Sequence, residues 1–175
     1  MTRALVVVDY QNDFVTGTLG FPEAAEIEDV IADKVIAYKI AGDDIYFTKD
    51  CHGRNYLSTQ EGKNLPIRHC TTKKGRELYG SLNGLSEGCV IIEKSTFGST
   101  ELMDLLAAKA YDEIEFCGLL SNICVLANAV LAKTVLPETV IIVDADATRS
   151  NDPALNEKAL DIMRSLQIRV FNGRR

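Results

Sequence analysis

EIEFCGLLSNICVLANAV (residues 113–130) changes character partway along its length. EIEFCG has the β-branched and aromatic apolar content of a buried strand, and from Ser121 to Lys133 apolar residues return at helical spacing. Gly118 opens the turn between them, and the Ser121-Asn122 pair can cap the free N–H groups of a helix. A strand, a tight turn and a helix make one half of a βαβ unit, and the same alternation recurs on both sides. ALVVVD, DIYFT, CVIIEK, TVIIVDA and QIRVFN also read as strands. Several are continuously apolar, as parallel strands covered on both faces tend to be. Residues 23–41, 99–111 and 153–166 read as further helices, the last starting at Asp152-Pro153, a cap followed by proline in the first helical position. The pattern predicts a three-layer, doubly wound α/β fold with a mostly parallel six-stranded sheet and helices on both faces.

With 175 residues, 46% of them apolar, the chain is expected to form one domain over residues 1–175. The formal charge is −6, and no cluster of lysine and arginine is interleaved with aromatics, so a nucleic-acid partner is not expected. A small-molecule ligand is the better expectation. MTRALVVVDYQ reaches an acidic residue too soon for a signal peptide, and nowhere do about 18 apolar residues run together, which predicts a cytoplasmic protein with no membrane partner. Five cysteines without a CxxC spacing read as free thiols.

In doubly wound sheets ligands bind at the carboxyl ends of the strands. Asp9 ends the first apolar run, Asp50 follows the second, Lys94 ends the third, and Cys124 follows EIEFCG across its turn. In the first helical turn a thiolate gains from unpaired N–H groups and the helix dipole, and the same groups can hold an oxyanion. Cysteine is equally a common core residue, and taken singly Asp9 fits a turn and Lys94 a solvated strand end. Together the three suit nucleophilic catalysis, with a carboxylate base beside a charge-balancing lysine. A second group comprises Asp50, His52, Glu61 and His69, which includes both histidines of the chain and lies in the one long irregular segment, residues 49–85. Two imidazoles with one or two carboxylates suit a divalent metal such as zinc, iron or manganese, whereas isolated loop histidines are usually surface or hydrogen-bonding residues. Cys51 or Cys70 as a soft ligand would favour zinc.

VVVDYQNDF, TKDCH, LPIRHC, IEKSTFGS and CGLLSNICVLANA, in this order, resemble successive blocks of the isochorismatase-like cysteine hydrolases, the superfamily that contains nicotinamidases. The resemblance implies Asp9 as general base, Lys94 as its electrostatic partner and Cys124 as nucleophile. It also implies a cis peptide between Leu119 and Leu120, with the N–H groups of Leu120 and Cys124 forming an oxyanion hole. Asp50, His52 and His69 match the metal-binding pattern of the nicotinamidase branch, with Glu61 as an added carboxylate, and zinc is the leading expectation. Phe14 matches an aromatic of the ring pocket, and Phe97 and Tyr56 are candidates for a second face, ordinary core packing being the alternative for each. The implied reaction is hydrolysis of a small amide, with nicotinamide to nicotinate and ammonia leading, by a homodimer or homotetramer. Nicotinamidases commonly show Asp-Trp-His-Pro, whereas this chain has Asp50-Cys51-His52-Gly53 and no tryptophan at all. Another small amide or a ureido compound is therefore the runner-up, followed by an isochorismate-type vinyl ether hydrolase and a non-catalytic binding homologue.

Overall fold

In a strand successive side chains face opposite sides, so a run without polar residues is buried on both. The first strand behaves this way in the computed structural model, which describes residues 1–173. β1 (Arg3–Val8) sends Ala4, Val6 and Val8 into one core and Leu5 and Val7 into the other. The remaining strands are β2 (Asp44–Asp50), β3 (Val90–Lys94), β4 (Glu113–Leu119), β5 (Val140–Arg149) and β6 (Arg169–Phe171). They form one sheet in the order β3-β2-β1-β4-β5-β6, with every neighbouring pair parallel. The doubly wound architecture read from the sequence is therefore correct.

Helix Glu28–Ala41 covers one face through Ile31, Val35 and Tyr38. Helices Thr100–Ala107, Leu126–Val135 and Pro153–Ser165 cover the other through Leu102, Leu106, Ala129, Leu160 and Met163. The chain therefore changes face between the β3 and β4 halves, and the strand order reverses between β1 and β4. A crevice forms at such a switch point, beyond the carboxyl ends of the two strands.

Local signals explain most boundaries. Asp152 Oδ1 accepts from the N–H groups of Ala154 and Leu155 at 2.8 and 3.1 Å, and Ser99 Oγ accepts from Leu102 N at 3.1 Å. Helix Glu28–Ala41 ends at Gly42 in the left-handed conformation, φ 74°. Three expectations need correction. Residues 23–41 are not one helix but Pro22–Ala25 followed by Glu28–Ala41, because the Ala24 carbonyl takes the buried Tyr10 hydroxyl at 2.6 Å and Ile27 turns into the core. The helix expected over 99–111 stops at Ala107. Residues 49–85 are less irregular than their composition suggests, with short helical turns at Tyr56–Ser58, Gln60–Asn64, Lys73–Arg76 and Ser81–Leu85. No helix among the described residues is long and apolar enough to cross a membrane.

Candidate active site and metal centre

Gly118 sets the exit from β4. It lies in register with Val8 on β1, its φ is 102°, and a Cβ there would collide with the Val8 carbonyl. Only glycine lets β4 approach β1 this closely at the switch point. One residue further on, the Leu119-Leu120 bond is cis, as the family resemblance implies. The following turn is π-helical from Ser121 to Val125 before the regular helix begins at Leu126, so Cys124 lies on a widened turn rather than in the plain first turn of an α-helix. Its side chain is buried at 7% exposure. Asn128 holds this turn to the β3 exit, accepting from Ser99 N at 3.0 Å and donating to the carbonyls of Cys124 and Phe97 at 2.8 and 3.2 Å.

Asp9 leaves β1 in the left-handed region, φ 44°, and is fully buried. Thr48 on β2 donates its hydroxyl to Asp9 Oδ1 at 2.7 Å. Lys94, the last residue of β3, brings its ammonium 2.5 Å from Asp9 Oδ2, 2.9 Å from the Thr96 carbonyl and 3.7 Å from Cys124 Sγ. Asp9, Lys94 and Cys124 thus converge from three strand ends, and Lys94 is far from the solvated strand end that its position alone permits. Burial raises the Asp9 carboxyl above the ordinary carboxylate range and the Asp50 charge adds to this, while Lys94 opposes it. Lys94 itself is pushed above its usual value, because Asp9, Cys124 and Asp50 together outweigh its burial. Burial also pushes the Cys124 thiol well up, reinforced by Asp9 and opposed by Lys94. The thiol lies beside a carboxylate whose raised basicity suits taking its proton.

The second group is built on a loop. Asp50 is the last residue of β2, and Asp50, His52 and His69 each offer a ligand atom, all within 4.8 Å of one another. Glu61 Oε1 lies 3.7 and 3.5 Å from the Nε2 atoms of His52 and His69. His69 Nδ1 is 2.9 Å from the Ile67 carbonyl, which requires the proton on that nitrogen and leaves the Nε2 lone pair facing the carboxylates. His52 Nε2 is buried without a hydrogen-bond partner although Asp50 Oδ2 is only 2.8 Å away, which leaves an unused ring nitrogen among the ligand atoms of Asp50 and His69. That convergence fits a divalent cation with nitrogen and oxygen ligands. Burial works against the charge on Asp50, but the neighbouring imidazoles of His52 and His69 and the Lys94 charge hold it below the ordinary carboxylate range.

Three residues that sequence reading passed over hold this loop. Gln11 accepts from Asp50 N at 2.7 Å and donates to the carbonyls of Asp50 and Arg76 at 2.9 and 3.1 Å. Arg76 donates to the Cys70 carbonyl at 2.7 Å and to the His52 carbonyl. Asp13 accepts from Cys70 N at 2.6 Å. Gln11 and Asp13 sit within the YQNDF block, whose spacing after Asp9 was the available signal; Arg76 left none. Of the three aromatic candidates, Tyr56 packs on both imidazoles, with ring centroids 4.7 and 5.0 Å away, and Phe14 packs on His69 at 5.6 Å. Phe97 is half exposed at the rim of a cavity that Tyr56 also lines; Phe14 is not part of that wall. Cys51 also lines it, and burial raises its thiol to about 11, while Cys70 is fully buried beneath the loop.

The isochorismatase domain model matches residues 3–172. The chain belongs to the isochorismatase family. Among solved structures in this family, a nicotinamidase/pyrazinamidase from Bacillus subtilis is 30% identical, with TM-score 0.86 over 97% of this chain and 99% of that one. A pyrazinamidase of Pyrococcus horikoshii in complex with zinc is 29% identical, with TM-score 0.86 over 99% and 100%. An N-carbamoylsarcosine amidase from Thermoplasma acidophilum is 30% identical, with TM-score 0.79 over 97% and 95%.

Proposed function

We propose that this isochorismatase-family chain is a metal-containing cysteine amidohydrolase that cleaves a small amide, with nicotinamide to nicotinate and ammonia as the first reaction to test. The observation that carries the reading is the Lys94 ammonium lying between Asp9 Oδ2 and Cys124 Sγ at the switch point of the sheet. Asp9 takes the thiol proton, and the sulfur attacks the amide carbon, forming the S–C bond. The N–H groups of Leu120 and Cys124 hold the resulting oxyanion. As the oxyanion collapses the C–N bond breaks, and ammonia leaves with the proton from Asp9. Water, deprotonated by Asp9, then attacks the thioester, and breaking the C–S bond releases the acid and restores the thiol. Lys94 stays charged throughout and balances whichever of Asp9 or the thiolate is anionic.

Asp50, His52, His69 and Glu61 would hold a divalent metal, with zinc supported by the Pyrococcus horikoshii complex and by the two imidazoles. Bound there, the metal would supply an electrophile able to anchor a ring nitrogen or carbonyl of the substrate. The N-carbamoylsarcosine amidase similarity and the lack of tryptophan support a second reading, a ureido or other non-pyridine amide, by the same chemistry. Ammonia release from purified protein, with nicotinamide first and a ureido panel second, tests both. Turnover retained by Cys124→Ala would sink the mechanism.

A further inference from the structure

The site opens beside a cavity of about 940 Å³, near the top of the roughly 300–1,000 Å³ range of pockets that enclose drug-sized ligands. A single-ring amide is far smaller than such a ligand. The cavity shares residues with the proposed metal cluster and includes the sequence neighbours of Lys94 and Cys124. His52 and Glu61 belong both to its wall and to the metal cluster, Ile123 immediately precedes Cys124, and Ser95 and Thr96 immediately follow Lys94.

Its lining is mixed. Tyr56, Leu65, Phe97 and Ile123 are its apolar members, with the half-exposed Phe97 ring free to lie against a planar group. Asn55, Gln60, Asn64 and Ser95 are polar members, and none of these side chains makes a hydrogen bond to the described residues. Thr59 and Thr96, by contrast, are already engaged with the Tyr56 and Gly98 carbonyls at 2.7 and 2.6 Å. Donors and acceptors not used by the fold thus line the same cavity as the apolar side chains. Among the described lining residues there is no lysine or arginine, and Glu61 is the one carboxylate. A carboxylate or phosphate on a ligand would find no side-chain cation here beyond the metal cluster.

From this we infer that the preferred substrate is a primary amide whose acyl part extends beyond a single ring into this cavity, and that the extension is uncharged and hydrogen-bonding. The inference rests on the amidohydrolase reading above and adds the substrate class. The reaction is unchanged: the acyl carbon exchanges its bond to nitrogen for one to sulfur and then to water oxygen, and the extension takes no part.

The test compares kcat/KM by ammonia release for nicotinamide and for nicotinamides carrying a hydroxypropyl chain at the ring carbon meta to the carboxamide. Carboxylate- and ammonium-terminated chains of equal length complete the set. The expected result is an advantage of at least about tenfold for the hydroxyl-terminated amide over nicotinamide and over both charged counterparts. Leu65→Trp, which fills the cavity from a half-buried position, should reduce that advantage to about twofold. Asn64→Leu, at an exposed position, should reduce it without risk to folding. Turnover of nicotinamide with no advantage for the extended amide, a preference for a charged chain, or an advantage untouched by both variants would overturn the inference alone. If no amide releases ammonia, nicotinamide included, the amidohydrolase reading fails and this inference fails with it.

Discussion

The Cys124 turn and the loop of the proposed metal ligands meet at one edge of the sheet, yet they are held there by different means. Asp9 follows β1, Lys94 ends β3 and Cys124 lies on the turn after β4, and the register of these strands sets their relative positions: Val8 pairs with Thr48 and with Gly118, and Asp50 with Lys94. His52, Glu61 and His69 lie on a loop tied only at single points, by the backbone bonds from Cys51 N to the Lys94 carbonyl at 2.7 Å and from His52 N to the Cys70 carbonyl at 3.0 Å and by side-chain clamps from Gln11, Arg76 and Asp13. The first half is precise because the sheet is rigid. The second half is precise only as long as a few hydrogen bonds persist, so its failures should be local and graded.

The sharpest separation of the two halves is Cys124→Ala against His52→Ala. Loss of the nucleophile should lower kcat by roughly 10⁴ to 10⁶-fold, as removal of a covalent nucleophile does elsewhere, while divalent metal still binds. His52→Ala should lose metal but leave Cys124 open to alkylation by a mild thiol reagent. Metal titration and mass spectrometry of the labelled cysteine measure the two independently. If both variants lose metal and labelling together, the halves are one unit and the comparison breaks.

Next in size is Lys94→Met. It removes the cation from a buried carboxylate, a change that typically costs about 3–5 kcal/mol when the remaining charge has no escape. Asp9 has an escape, since burial already raises its pKa and it can take up a proton. The expected outcome is therefore a smaller loss of stability at mildly acidic pH than at pH 8, read from urea midpoints. Activity should fall by roughly 10²-fold or more, because a protonated Asp9 is no longer a base.

The same division governs what the sequence reveals. β1, β4 and β5 announce themselves because apolar runs buried on both faces have few other uses, and the strand-end rule then brings Asp9, Lys94 and Cys124 to one edge. The Asp50, His52 and His69 cluster is legible from chemistry, as two histidines with nearby carboxylates, and the family resemblance supplies the metal role proposed for it. What held them was not legible, because an arginine such as Arg76 clamps through carbonyls contributed by residues far away in sequence, and no periodicity encodes that. The break at Ile27 was hidden for a similar reason: helical periodicity continues through it, and only the tertiary bond from Tyr10 to the Ala24 carbonyl distinguishes the two segments. The π turn at Cys124 likewise has no composition of its own, so the local pattern suggests a plain first helical turn where the structure has a widened one.

Arg76→Met probes the clamp directly. Groups that orient metal ligands typically contribute 10 to 100-fold in affinity, and a loss of that order is expected in competition with a chelator. The rate of Cys124 alkylation should stay within about twofold of wild type, because no bond of Arg76 reaches β1, β3 or β4; a larger change would mean that the loop supports the nucleophile as well.

The smallest effect tests the strand-end half by pH. Thr48 donates to Asp9 Oδ1 and so favours the charged carboxylate, partly countering the rise caused by burial. Thr48→Val keeps the shape and removes that donor, so the Asp9 pKa should rise further, by roughly half a unit to one unit. A base is active only when deprotonated, and activity is therefore lost as pH falls through the Asp9 pKa. The acid limb of kcat/KM should accordingly move to higher pH in Thr48→Val, with little change on the plateau. Acid also protonates metal ligands, so metal occupancy must be measured at each pH. At full occupancy Arg76→Met should leave the acid limb in place while Thr48→Val moves it. A limb that moves equally in both variants would show that acid inactivates through the metal loop, and Asp9 would lose its assignment as the base that sets the profile.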